Sequence, residues 1–337
     1  MSLAARSFSL VMVESLTSAV VVLFAVLGNT VLLFALYRKP RMKNSTLVMV
    51  GALALVDLLH VITTAPLFVL SLATGKLASN NFGCMLTGFL AHSLPKASIL
   101  VMTLTAINRY YCVLKPDDYK RHFNFHRTIC YNVSAWIFST SEVLAVVVLG
   151  QAKIFYIPPV ATCIMTFPNR NLKIAYTLYS LFFYMVLCLI IICFCYNRVS
   201  RFIRKHNANT VSLTTQEINL TRALFALIFA FVILWVPLYV FIVFYRMILP
   251  ASRFPREMGL AIPYLNYLSC AINPWIYGVM SPLVRNKMKR VFFRPRPQPR
   301  VSPEAPNTTS PRAWDQRGEA VEERTIHTET RLPRTNP

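Results

Sequence analysis

Residues 92–113 read HSLPKASILVMTLTAINRYYCV. From Ala97 to Ile107 no side chain is charged, and the run then closes on Arg109, a permanently charged guanidinium flanked by Asn108 and Tyr110 with no carboxylate beside it. A surface helix of a soluble protein shows water a polar face at every turn, and this one shows almost none. Such a run is stable with hydrocarbon around it and its cation held at the edge, where bilayer meets water.

Composition extends this reading to the whole chain. Of 337 residues, 55% are hydrophobic and only 14% charged, with a mean hydropathy of +0.49, against roughly 25% charged residues in soluble domains. Crossing about 30 Å of hydrocarbon takes roughly 20 apolar residues as helix. Windows of that kind lie at 11–37, 46–72, 84–113, 129–150, 173–197, 220–248 and 258–280. They predict an all-α membrane protein, a bundle of seven transmembrane helices. Each window must be helical, because backbone in lipid has to satisfy its own hydrogen bonds and these continuous runs lack the alternation of a barrel. The fourth is interrupted by FSTSE, 138–142.

The net charge of +22 is informative through its placement. RKPRMK (38–43) follows the first window, Lys115, Lys120, Arg121 and Arg127 the third, Arg198, Arg201, Arg204 and Lys205 the fifth, and RNKMKRVFFRPRPQPR (285–300) the seventh. The opposite connections hold only scattered cations such as Lys76, Lys153, Arg170 and Arg253. The positive-inside bias therefore places the N-terminus outside and the C-terminus in the cytoplasm of a multi-pass plasma-membrane protein. Anionic lipid headgroups and an acidic partner surface are the natural counter-charges, and the one-sided distribution disfavours nucleic acid. The first window starts after about a dozen residues without a small-residue cleavage site, so it reads as a retained signal anchor.

Residues 1–10 form a short extracellular N-terminus and 11–280 the bundle. SPLVRNKMKRVFF, 281–293, mixes Leu283, Met288, Val291, Phe292 and Phe293 with cations and reads as an amphipathic eighth helix on the inner leaflet. From 294 to 337 the chain turns proline-rich and polar without apolar period, a disordered cytoplasmic tail. Six of the eight cysteines (Cys112, Cys130, Cys188, Cys193, Cys195 and Cys270) lie within windows or at their inner ends, where a small thiol packs well. Cys84 and Cys163 alone fall on the oxidising outer side and are expected to form a disulfide. No metal-ligand spacing occurs, and the Asn-x-Ser/Thr sites fall in cytoplasmic or helical segments.

Polar residues inside spans need a reason. The first window contains Asn29, the second Asp57, the third Ser98, the sixth Trp235 and Pro237, and the seventh Ser269, Asn273 and Pro274, all near mid-membrane depth. With GN in the first helix, LALVD in the second, a Cys opening the third and NRY closing it, Trp136 in the fourth, Tyr196 in the fifth, WVP in the sixth and NPWIY in the seventh, the chain resembles a rhodopsin-like, class A G-protein-coupled receptor over about 280 residues. INRYYCV, YNVSAW, TCIMTF and SCAINPWIYG look most like melatonin receptors and their relatives. Departures are Pro274, where melatonin receptors typically have Ala, and Val146 and Tyr184 in place of their polar pocket residues, so a ligand is not inherited with the resemblance.

The resemblance implies a receptor that binds an extracellular small molecule and activates a heterotrimeric G protein, Gi/Go by default, with arrestin a further partner at the tail. It makes Arg109 the internal switch, held by a carboxylate at rest. Asn108 stands where the neighbouring acid is usual, so Glu217, at the cytoplasmic start of the sixth helix, is the candidate partner across helices; alternatively it sits in solvent beside basic residues. Tyr196 and Tyr277 match tyrosines whose hydroxyls meet near the arginine on activation. Ile99 and Phe231 match two positions of a packing switch whose third, usually proline, is Cys188, so the fifth helix is expected to lack its bulge and kink. Asp57, Ser98, Ser269 and Asn273 match a sodium site, with a water-filled polar network as the alternative; beyond that ion no cofactor is expected. By position, Ala91, His92, Pro95, Ser180, Tyr184, Trp235, Tyr239, Asn266 and Tyr267 line the ligand cavity. Ala91 replaces the aspartate of amine receptors, which argues against amine ligands, and Tyr267 replaces the retinal-linking lysine.

Lys96 and Glu142 are foreign to that pattern. By depth they face each other between the third and fourth helices, which predicts a buried ion pair; the alternative has Lys96 pointing into the cavity as an anion receptor. A transporter using Lys96, Glu142 and Asp57 as a proton path is the rival from another class, disfavoured by the absence of an internal repeat. An enzyme would need a paired acid, Ser/His or metal set at one depth, and His60, His92, His122 and His126 are spread between depths and sides.

Overall fold

The computed structural model describes residues 6–37, 45–206, 215–248, 255–282, 284–286 and 288. Helix α1 spans Phe8–Tyr37, α2 Ser45–Thr74, α3 Asn81–Leu114, the short α4 Pro116–His122, and α5 Phe125–Val148. Strands β1 (Lys153–Ile157) and β2 (Thr162–Thr166) follow, then α6 (Arg170–Ser180), a π-helical turn at Leu181–Leu187, α7 (Cys188–His206), α8 (Thr215–Ile248) and α9 (Arg256–Met280). The spans in order are therefore α1, α2, α3, α5, the continuous α6–π–α7 helix, α8 and α9. The first five are each long and apolar enough to cross a bilayer, and α8 carries an apolar segment at Thr221–Pro237.

The inward faces of α1 and α5 are rich in small and polar side chains, with Leu32 and Leu36 also buried on α1. On α1 the exposed Leu16, Val20, Leu23, Leu27 and Phe34 form one stripe, while Ser18, Ala25, Gly28, Asn29 and Ala35 are buried on the other. Lipid tails are as apolar as leucine, so helices associate through small residues and polar contacts. Gly28 shows why: a Cβ there would stand 2.6 Å from Pro274 Cγ, so α1 meets α9 at backbone distance. α5 follows the same rule, with Thr128, Asn132, Ala135 and Ser139 buried and Ile129, Val133 and Ile137 outward. Its FSTSE interruption is helical, with the hydroxyls satisfied inside the helix: Ser139 and Thr140 donate to the Trp136 carbonyl at 3.1 and 2.7 Å, and Ser141 donates to Phe138 at 3.0 Å.

The short connecting helix α4 has Pro116 in its first turn with Asp117 and Asp118, and Lys120, Arg121 and His122 in its last, matching the helix dipole at both ends. The loop after the fourth span is an antiparallel hairpin, with Tyr156 opposite Cys163, turning at Pro158–Val160 through Ala161 in the left-handed region (φ 56°). This hairpin is an addition to the all-helical expectation. The disulfide Cys84–Cys163 clamps it to α3, and Gly88 lets it sit down, since a Cβ there would lie 2.4 Å from Ile154 Cγ2 and 3.0 Å from the Cys163 carbonyl.

The expected loss of the bulge in the fifth span is corrected. A full π turn precedes Cys188, and the cysteine thiol donates to the Phe183 carbonyl at 3.4 Å, occupying an acceptor of the widened turn without a proline. Of the expected eighth helix, residues 282, 284–286 and 288 are helical. Val284 is fully buried, and Met288 lies over Gly278. The remainder of 281–293 and the tail lie outside the described residues.

Candidate functional site

The polar side chains of separate spans meet in the bundle interior, and the chemistry of proline explains the first link. Pro274 has no N–H, so the carbonyl of Cys270 one turn earlier lacks its helical partner. Asn29 of α1 donates to it at 3.0 Å, and to its own Ala25 carbonyl at 2.9 Å. One layer away, Asp57 accepts from Ser98 at 2.8 Å and from Asn273 at 2.6 Å, joining α2, α3 and α9. Ser269 lines the same cavity but donates to the Asn266 carbonyl at 2.8 Å, so three of the four residues expected around sodium touch one another and the fourth turns to its own helix.

Toward the end of α3 away from the hairpin, Arg109 is buried at 2% exposure and donates to Asn108 at 3.3 Å. The same Asn108 oxygen accepts from Thr46 of α2 at 2.8 Å. An amide oxygen thus stands near the guanidinium where a carboxylate would bring a full charge. No acidic partner of Arg109 occurs among the described residues; Glu217 belongs to α8, and its side chain lies outside them. Tyr196 and Tyr277 are buried in one apolar cluster with Val50, Leu53, Ala106 and Leu224. Tyr110 is partly exposed, its ring 6.0 Å from Phe194. Ile99, Cys188 and Phe231 pack together with Trp235, whose ring stacks on Phe231 at 5.9 Å.

Above this layer a cavity of about 630 Å³ opens beneath the hairpin. Ala91, His92, Pro95, Ser180, Trp235, Tyr239, Asn266 and Tyr267 line it as expected by position, and Tyr184 does not. Tyr184 is 1% exposed, turned away behind the π turn to give its hydroxyl to Glu142. Glu142 also receives Lys96 at 2.5 Å, and Lys96 donates to the Tyr176 hydroxyl at 2.7 Å. Lys96 lines the cavity at the same time, so the two alternatives for it are both met geometrically.

Three groups of residues escaped the sequence reading. Tyr176 and Lys173 line the cavity from α6, beyond the positions the resemblance supplied. His60 is buried beside Asp57, its ring 5.5 Å from Tyr267 and both nitrogens without a protein partner; as an ionisable residue inside a span it carried its own signal. The same holds for Glu14 in α1, which takes Arg256 at 2.5 Å and Arg6 at 2.6 Å, while Arg6 also donates to the Leu72 carbonyl at 2.5 Å. On the hairpin nearby, burial raises the Tyr156 phenol above its usual pKa, partly offset by Ser71 and Arg6.

A bundle of this order, with a lined cavity beneath the hairpin, a polar cluster around Asp57 and a buried arginine at the end of its third span, defines a seven-helix membrane receptor. The model of the 7 transmembrane receptor (rhodopsin family) matches residues 28–277, and the chain belongs to that family. It is 25% identical over 275 residues to melatonin receptor type 1A of Ovis aries, covering 79% of this chain and 74% of that protein. It is 26% identical over 274 residues to melatonin receptor type 1A-A of Danio rerio, covering 79% and 77%. Squid rhodopsin superposes with a TM-score of 0.73 at 16% identity, over 85% of this chain and 86% of the other. The chain is thus a melatonin-receptor-like class A receptor, a multi-pass membrane protein and not an enzyme.

Proposed function

We propose that this receptor sits in the plasma membrane with its N-terminus outside, binds a small non-amine molecule in the cavity under the hairpin, and activates a heterotrimeric G protein of the Gi/Go class. The observation that carries this reading is the gathering of polar side chains in the bundle interior: Asp57 with Ser98 and Asn273 at the cavity, and separately the buried Arg109 with Asn108 and Thr46. A ligand shifts such a bundle only by binding its two states differently, and rearrangement of these interior contacts would supply that difference. The melatonin-receptor relatives support Gi/Go; the cytoplasmic tail is the place for arrestin.

The decisive measurement is a ligand screen read by G-protein dissociation, with Arg109→Ala as the silent control. Uptake of a substrate with no nucleotide exchange on any G protein would instead establish the transporter. Glu217→Ala is expected to raise ligand-free signalling roughly 1.5- to 5-fold, the worth of a partly exposed pair. Basal activity unchanged at equal surface expression removes Glu217 from the switch.

Asp57 offers an anion and Ser98 and Ser269 hydroxyl oxygens to the same space, hard donors that suit sodium. The ion would be held by these residues and would favour the resting state. Replacing sodium by a large organic cation is expected to raise agonist affinity severalfold in the parent and leave Asp57→Asn unaffected. Equal sodium response in both proteins sinks the ion.

A further inference from the structure

The cavity carries a charge pattern of its own. Its only acidic lining residue among those described is Asp57 at the floor, where each oxygen accepts one bond, from Ser98 and from Asn273. The wall formed by the fifth span presents Lys173, Tyr176, Thr177 and Ser180, at spacings that share one helix face. Lys96 stands against that face, bonded to Tyr176. An ammonium has three N–H donors, and Lys96 places one on Glu142 and one on Tyr176. The third belongs to a side chain that lines the cavity, whereas Glu142 does not line it. Deeper in, the buried Trp235 indole N–H likewise has no acceptor. Around these donors the wall is aromatic and aliphatic, with Ile99, Phe231, Tyr239 and Ile262.

We propose that the ligand is an organic acid whose carboxylate accepts hydrogen bonds from Lys96, supported by Tyr176 and the charge of Lys173, and whose apolar body fills the aromatic end of the cavity. This rests on the receptor reading and names its ligand class. A carboxylate matches the surplus of donors, forms charge-assisted bonds with them, and meets no acid lining the surrounding wall. An amine would face Lys96 and Lys173 with its own charge. The Lys96–Glu142 pair keeps the ammonium oriented before the ligand arrives, which lowers the ordering cost of binding.

The test uses the full chain in phosphatidylcholine nanodiscs and the series of ω-phenylalkanoates from 4-phenylbutyrate to 8-phenyloctanoate, each beside its primary amide. Thermal melting and calorimetry report binding without a G protein. At least one acid is expected to raise the melting temperature and bind about tenfold more tightly than its amide, a gap of about one charge-assisted bond. Lys173→Met should narrow that gap severalfold, and the paired exchange K96M/E142L, which removes both buried charges together, should erase it. Lys173→Met keeps the test decisive if the paired variant fails to fold. Amides that bind as well as acids throughout, a gap untouched by Lys173→Met and K96M/E142L, or no acid binding at millimolar concentration would each overturn the assignment. Binding acids none of which raises or lowers nucleotide exchange on any G protein sink the receptor reading alone; exchange driven by an amine sinks the acid alone.

Discussion

Lys96→Met by itself is expected to cost the fold about 3 to 5 kcal/mol, and Glu142→Leu by itself a similar amount. Both side chains are nearly enclosed, at 12% and 13% exposure, and 2.5 Å apart. Removing the ammonium leaves a carboxylate in the bundle with only the neutral hydroxyls of Tyr184 and Tyr176 as partners; removing the carboxylate leaves the ammonium with Tyr176. A loss of that size is a large share of the roughly 5 to 15 kcal/mol that holds a typical protein folded. Each single variant should therefore melt well below the parent and reach the surface poorly. K96M/E142L should recover, because an apolar pair of similar volume can replace a buried ion pair at little cost. The exchange K96E/E142K should recover as well, since tyrosine hydroxyls can donate or accept and both can reverse their roles. Single variants that melt within about 0.5 kcal/mol of the parent would assign the pair to a screened, surface-like setting and remove it from the stability of the bundle.

Loss of the outer disulfide should be of comparable size. Cys84 and Cys163 are 79 residues apart, and closing a loop of that length removes about 4.5 kcal/mol of unfolded-chain entropy at 25 °C, with measured losses commonly 2 to 5 kcal/mol. The effect on binding should exceed the effect on the helices. Thr162 to Phe167 roof the cavity, and with Cys163 released the hairpin keeps its apolar seats alone: Ile154 and Tyr156 clustered with Leu67 and Leu77, Met165 with Val143, and Ala161 with Val61, Ala65 and Phe68. C84S/C163S is expected to retain the helical circular dichroism of the parent, to melt earlier, and to lose ligand affinity by at least about tenfold, beyond what its lower surface expression accounts for. Unaltered affinity in the properly inserted fraction would show that the hairpin roofs the cavity without the clamp.

Much of the candidate site was legible because membranes penalise polar groups in proportion to depth. Asp57, Asn273, Asn29 and Arg109 stood out against apolar runs, and a place had to exist for them; Lys96 and Glu142 stood out for the same reason. Tyr184 was misplaced because position along a regular helix assumes 100° per residue, and the π turn inserts an extra residue just where the ring would have faced the cavity. Tyr176, whose hydroxyl takes Lys96, could not be found by depth alone, since an outer-end tyrosine is ordinary at a membrane interface.

Hydropathy, charge asymmetry and the order of short motifs determined the number of spans, the family and the inward residues, because lipid imposes one solution on each apolar run before any helix meets another. Tertiary structure alone decided what those residues touch. That Ser269 turns to its own backbone, that the Asn108 oxygen serves both Thr46 and Arg109, and that Tyr184 answers to Glu142 depend on helix rotation and on one widened turn. Rotations of a few tens of degrees leave hydrophobic burial in lipid almost unchanged, so they are set by contacts between spans, which no single stretch of sequence contains.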